Sequence, residues 1–127
     1  MKRMISMLLV TLLVLTGCGG AEVENTYQRI TQEEAKKMMD TQEVIILDVR
    51  EQNEFDAGHI PGAVLLPVGT ISGETAAAVI PELDWVVLVY CRSGNRSKTA
   101  SSALAEQGYT NIYEFGGINT WPHEVEQ

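Results

Sequence analysis

Cysteine is scarce in this chain: Cys18 and Cys91 are the only two among 127 residues. Two thiols exclude a disulfide-stapled scaffold. Histidine is equally rare, with His59 and His123 alone, so no Cys/His cluster shows the spacing of a zinc site. Positive charge is short as well. Nine Lys and Arg stand against 17 Asp and Glu, a formal charge of -8 with a pI of about 4.6. So acidic a chain lacks the phosphate-neutralising cations that nucleic-acid binding requires, and no nucleic-acid partner is expected. The apolar run from Met4 to Leu15 falls short of the roughly 20 residues of a membrane-spanning helix. What remains is ordinary globular composition, 45% apolar and 20% charged, over the length of one domain.

The short apolar run has a different use. Lys2 and Arg3 precede it, and Thr16, Gly17 and Cys18 follow it. A positive start, a short apolar stretch and small residues make a secretory signal. Leu15-Thr16-Gly17-Cys18 resembles a bacterial lipobox. The resemblance implies cleavage before Cys18 and diacylglycerol on its thiol. Residues 1–17 are then a lipoprotein signal peptide. The protein is expected in the bacterial cell envelope, lipid-anchored to a membrane on the extracytoplasmic side. Each acyl chain contributes about 0.8 kcal/mol per buried CH2, and a single chain anchors only marginally. An uncleaved anchor and a plain signal peptide are the alternatives. With Cys18 lipidated, Cys91 is the only free thiol and has no intramolecular partner.

Residues 18–26 read as a small, acidic tether. A domain is expected over 27–127. Tyr27 to Ile30 suits a short strand. Thr31 and Glu34 have the spacing of a capping box, opening a helix to about Asp40. Val44 to Val49 and Trp85 to Tyr90 are continuous apolar runs rich in β-branched residues, the pattern of strands buried on both faces. Shorter strands are expected at Ala63 to Leu66 and Ile112 to Phe115. Helices are expected at Glu51 to Ala57, Gly73 to Ile80 and Ser97 to Gln107. This alternation predicts an α/β domain with a central, mainly parallel sheet and helices on both faces. Ligands of such sheets bind beyond the carboxyl ends of the strands, where Asp48 and Cys91 fall.

Cys91-Arg92-Ser93-Gly94-Asn95-Arg96 lies between a buried strand and a helix. Such a loop can curl its N–H groups inward as an anion nest, backed by the positive end of the next helix. Gly94 permits a left-handed backbone, and Asn95 tolerates one better than most residues. Arg92 and Arg96 add positive charge. All of these favour thiolate over thiol at Cys91. The competing reading is a small buried cysteine that only packs. The catalytic reading is preferred because two arginines and a glycine share the loop.

The motifs together resemble a single-domain rhodanese-like sulfurtransferase. The matching segments are Leu47-Asp48-Val49-Arg50-Glu51 with Glu54-Phe55, then Gly58-His59-Ile60-Pro61-Gly62-Ala63, then Tyr90-Cys91-Arg92-Ser93-Gly94-Asn95-Arg96-Ser97. Gly116-Gly117-Ile118 with Trp121 matches the family's closing signature, and the resemblance spans roughly residues 27–122. It implies attack by the Cys91 thiolate on a sulfane donor such as thiosulfate, a Cys91 persulfide, and transfer of the sulfur to a thiol or cyanide. It also implies that the loop from Arg92 through Ser93, Gly94 and Asn95 to Arg96 binds the substrate. Arg92 and Arg96 are expected to hold the donor's sulfonate oxygens. Sulfur chemistry at a thiolate implies no cofactor and no metal.

Asp48 and Arg50 are read as an ion pair or backbone brace at the strand-loop corner, and His59 as a turn-fixing residue, so all three support the site. Trp85, Trp121, Tyr109 and Met38 are read as core, and His123 receives no role. The loop departs from the Cys-Arg-Lys-Gly-Val-Thr form of the two-domain thiosulfate enzymes and from the Cys-Gly-Ser-Gly-Val-Thr form of mercaptopyruvate enzymes. Two other functions compete: a membrane-tethered persulfide carrier or binding module with little turnover, and a phosphatase or arsenate reductase. The related phosphatase loops run Cys, five residues, then Arg, whereas Arg96 follows Cys91 after four.

Overall fold

A computed structural model describes residues 26–127. The expected signal peptide, Cys18 and nearly all of the expected tether lie outside the described residues. Among these residues no helix is long and apolar enough to cross a membrane.

The domain opens with β1 (Gln28–Arg29) and α1 (Gln32–Thr41). The Thr31 hydroxyl accepts from Glu34 N, and the Glu34 carboxylate accepts from Thr31 N, so two orphan donors of the helix end are satisfied reciprocally. β2 (Ile45–Asp48), α2 (Gln52–Ala57) and β3 (Val64–Leu65) follow. After a 3-10 turn at Val68–Thr70 come α3 (Gly73–Val79), β4 (Val87–Cys91), α4 (Asn95–Glu106) and β5 (Ile112–Gly117). A second 3-10 turn, Ile118–Thr120, leads to the C-terminal tail.

The five strands form one sheet in the order β1-β5-β4-β2-β3, and every pairing is parallel. β4 lies at the centre with all five residues buried. Its register places Asp48 against Tyr90 and Cys91 against Gly117, with an irregularity between Val89 and Cys91. Alternate side chains serve two cores. Leu47, Val87, Val89 and Ile112 pack with Ala76 of α3, with Ile80 that caps it, and with Ala100 and Leu104 of α4. Leu88, Tyr90 and Phe115 pack on the opposite face with Ala35 of α1, Ile60 and Trp121. Each fully buried Val or Leu contributes about 1.5–3 kcal/mol, so the two layers hold the sheet ends in place.

Two expectations need correction. Trp85 is not core: it is 44% exposed beside the exposed Leu83. β4 begins only at Val87, so Trp85 falls short of the sheet, at the end away from Cys91. The helix after the thiol begins at Asn95, not Ser97. Gly94 takes the left-handed turn by itself, at φ 109°, which lets Asn95 enter the helix directly.

Candidate active site

Burial of β4 on both faces brings the chain to its carboxyl end as an inner strand, and its last residue is Cys91, 1% exposed. The loop then doubles back on the thiol. Gly94 N donates to Cys91 Sγ at 3.1 Å, and the thiol itself donates to Ser97 Oγ at 3.5 Å. Burial pushes the thiol pKa up. The Ser97 hydroxyl and the N–H groups of Ser97, Gly94 and Ser93 oppose this and prevail, so the pKa lies below the ordinary value.

The loop is braced from beneath. The chain of β5 passes so close that a Cβ on Gly117 would meet Arg92 O at 1.9 Å. Asn119 N donates to the same Arg92 carbonyl at 3.1 Å. Gly116 has φ 93°, and its backbone lies 3.6 Å from where a Cβ on Gly94 would stand. Gly117 is therefore a steric requirement of the cysteine loop, and Gly116 is required by its left-handed backbone. Gln32, at the start of α1, secures that turn: its Nε2 donates to Phe115 O, Gly117 O and Thr120 Oγ1.

The two arginines differ. Arg96 makes a two-pronged pair with Glu54 of α2, at 2.8 and 3.0 Å. The Arg96 hydrogen bonds hold the Glu54 carboxyl down at about 2, against a smaller opposing push from burial. The same carboxylate raises Arg96, and the Cys91 charge adds to that rise. Arg96 is thus within electrostatic reach of the sulfur but already paired. Arg92 is exposed, and its side chain makes no hydrogen bond or ion pair among the described residues. Ser93 and Asn95 are exposed beside it.

Asp48 and Arg50 form a buried ion pair at the neighbouring strand end. Arg50 Nε and N each donate to Asp48 Oδ1 at 2.9 Å, and a terminal guanidinium nitrogen donates to Oδ2 at 2.7 Å. That nitrogen also donates to Gly58 O, tying the pair to the following turn. Tyr90 OH donates to Asp48 Oδ2 and accepts from Ile60 N. Burial and the Asp48 charge hold the phenol well above its ordinary pKa. His59 stacks on Phe55 at 3.8 Å, donates from Nδ1 to Phe55 O, and exchanges backbone hydrogen bonds with Glu126. These contacts engage it in the turn.

Among the described residues no group of three or more His, Cys, Asp or Glu could hold a metal ion. Four residues next to the site escaped the sequence reading as parts of it: Gln32, Ser97, Glu114 and, as the partner of Arg96, Glu54. Glu114 carried a signal, being a charged residue inside the short apolar run from Ile112 to Phe115. It is 1% exposed.

The geometry has counterparts in known proteins. Residues 31–124 match a family profile described as "Rhodanese-like domain". The thiosulfate sulfurtransferase GlpE of Pseudoalteromonas translucida is 31% identical over 96 residues, 75% of this chain and 89% of that protein. The putative sulfur carrier protein YrkF of Bacillus subtilis is 32% identical over 108 residues, 84% of this chain but 57% of that protein. A solved structure described as "rhodanese with anions from E. coli" superposes with a TM-score of 0.62 at 28% identity, covering 67% of this chain and 99% of that one.

Proposed function

The chain belongs to the rhodanese-like domain family, and on that premise we propose that it moves sulfane sulfur from a small anionic donor, such as thiosulfate, through a persulfide on Cys91. The observation that carries this reading is the buried Cys91 Sγ facing the Gly94 N–H inside a closed loop, with its pKa held below the ordinary thiol value.

The Cys91 thiolate attacks the outer sulfur of thiosulfate. A sulfur–sulfur bond forms to Cys91, the donor's own sulfur–sulfur bond breaks, and sulfite leaves with the electron pair. The persulfide carries one negative charge, as the thiolate did, so no proton or oxidant is consumed. The N–H groups that face Cys91 suit the terminal sulfur of the persulfide, supported by the positive end of α4. Cyanide or a thiolate acceptor then attacks that terminal sulfur and regenerates the Cys91 thiolate. Arg92 is the cation available for the donor's sulfonate oxygens. Arg96, held by Glu54, contributes its field at the sulfur. Asp48, Arg50 and His59 keep the neighbouring strand end and turn in shape.

The test is mass spectrometry of reduced residues 21–127 mixed with thiosulfate. One added sulfur atom is expected, discharged by cyanide as thiocyanate and absent in Cys91→Ser. Failure to load from thiosulfate, with loading from a persulfide donor, would favour the second reading: a persulfide carrier with little turnover. The similarity to YrkF, described as a putative sulfur carrier, is what favours that alternative. Phosphatase or arsenate chemistry is disfavoured because Arg96 is one residue early and is paired with Glu54.

For location, the reading is a lipid anchor on Cys18, tethering the domain outside the cytoplasm. Its support is the lipobox-like segment alone. Labelled fatty acid incorporated in cells should appear on the protein and be lost in Cys18→Ala. A soluble cytoplasmic protein retaining residues 1–17 would overturn it.

A further inference from the structure

Glu114 stands inside β5, 1% exposed, on the sheet face that α4 covers. Its Oε2 accepts from Ser97 Oγ at 2.5 Å and from Gly116 N at 2.9 Å. Ser97 Oγ in turn accepts from the Cys91 thiol at 3.5 Å. Three side chains from β4, α4 and β5 thus form one continuous chain of hydrogen bonds. The Ser97 hydroxyl also lies 3.0 Å from Gly94 O and 3.4 Å from Gly116 O. Neither carbonyl can take up a proton, whereas the Glu114 carboxylate can. A buried carboxylate needs partners, and Ser97 Oγ, Gly116 N and Arg29 Nε supply them.

The geometry points to Glu114 as the proton acceptor of the Cys91 thiol, acting through the Ser97 hydroxyl. The Cys91 S–H bond breaks as that proton joins Ser97 Oγ. The Ser97 O–H bond breaks as its proton joins Glu114 Oε2. A thiol and a carboxylate become a thiolate and a carboxylic acid, with no proton lost to solvent and no redox change. In the product, Ser97 donates to the thiolate and Glu114 donates to Ser97. The same two hydrogen bonds persist with their direction reversed. Ser97 touches the reacting sulfur, whereas Glu114 acts through Ser97 and is the positioning residue here.

Other charges face this chain from each packed element. From β1, Arg29 Nε lies 3.4 Å from Glu114 Oε1. From α4, Arg96 acts on Cys91 while paired with Glu54 of α2. From α1, the nearest group is the neutral Gln32 amide, bound to Phe115 O and Gly117 O. Arg92 is exposed in the loop. The flanking charges are cationic or paired, and they stabilise whichever of the two groups carries the negative charge.

Sharing one proton between two acids gives two macroscopic steps. The inference rests on Cys91 as the nucleophile, but its test needs no sulfur donor, so the two readings fail separately. The test measures the rate of Cys91 alkylation by iodoacetamide against pH. It uses the full chain in detergent, carrying Cys18→Ala so that Cys91 is the only thiol. The expected profile has a shoulder on the acid side of the main rise, where the proton resides partly on Glu114. Glu114→Gln should replace the shoulder with a single rise, because an amide accepts the Ser97 hydrogen bond but cannot hold the proton. Ser97→Ala should abolish the shoulder and make the profile insensitive to a further Glu114→Gln. A carboxylate that acts only through its charge leaves a single smooth rise in the unaltered site. That single rise, or a shoulder that survives in Glu114→Gln, overturns the proposal. Should the Glu114 variant not fold, infrared difference spectra of the unaltered site decide it. A carboxyl C=O band must appear as the thiol S–H band is lost, and its absence overturns the proposal equally.

Discussion

Gly117→Ala should disable the site while leaving the domain folded. A Cβ at this position would lie 1.9 Å from Arg92 O, 2.3 Å from Arg92 C and 2.6 Å from Ser93 N. Contacts below 3.0 Å do not occur at real Cβ atoms, so the loop must retreat by more than 1 Å. All three obstacles are backbone, and no rotamer change relieves them. The Arg92 carbonyl that must move is also the acceptor for Asn119 N, so this bond is stretched as well. The displaced segment carries Ser93 and Gly94, whose N–H groups lower the Cys91 pKa. Overpacking of this kind costs about 1–3 kcal/mol of stability. A misplacement of about 1 Å in a catalytic group costs on the order of 10²-fold in rate. Sulfur loading should therefore fall about 10²-fold, and the alkylation midpoint of Cys91 should rise as its donors withdraw. Rates of loading and of iodoacetamide alkylation, with a thermal melt beside them, separate activity from folding. Gly69→Ala is the control, because nothing lies within 4 Å of a Cβ there. A folded Gly117→Ala protein that loads sulfur and alkylates at the original rate would refute the claim that β5 shapes the loop.

Asp48→Ala removes the partner of a buried guanidinium and should cost about 3–5 kcal/mol, read as a lower denaturant midpoint; an unchanged midpoint would deny the pair its structural role. Glu54 has its pKa lowered from an ordinary 4.5 to about 2 by Arg96, so its contribution to stability is complete above pH 4.5 and is lost as the pH falls toward 2. Glu54→Gln should flatten that acid limb in melting temperatures recorded across this window, and a limb of unchanged slope would count against the pairing. Arg92→Ala should raise KM for thiosulfate while hardly altering alkylation by neutral iodoacetamide. Equal losses in both would mean that Arg92 shapes the loop instead of meeting the anion.

The fold was legible because its signals are local. Thr31 and Glu34 cap α1 with the spacing read from the sequence. The apolar runs around Ile45–Asp48 and Val87–Cys91 are adjacent inner strands of one parallel sheet. Boundaries were less legible, for physical reasons. Trp85 continues the apolar run of β4 in composition, yet the ladder does not reach it, because pairing with Ile112 begins only at Val87. Asn95 looks like a loop residue by type, yet Gly94 completes the turn alone and releases Asn95 to the helix.

The site divides along the same line. Cys91, its loop and the left-handed Gly94 are contiguous, so their chemistry can be read from six residues. What fixes that chemistry is not contiguous. Arg96 is one of two arginines in the loop by sequence, but Glu54, forty-two positions earlier, takes its guanidinium and leaves Arg92 alone at the mouth. Ser97 is an unremarkable first-turn serine until Glu114, seventeen positions later, accepts its hydrogen bond. Both partners are carboxylates in an acidic chain, where single Glu residues carry little information. Their meaning comes from the sheet order, which sets β5 beside β4, and from α2, which follows β2 at the same carboxyl edge. The loop supplies the thiol, and residues distant in sequence decide which of its charges are available.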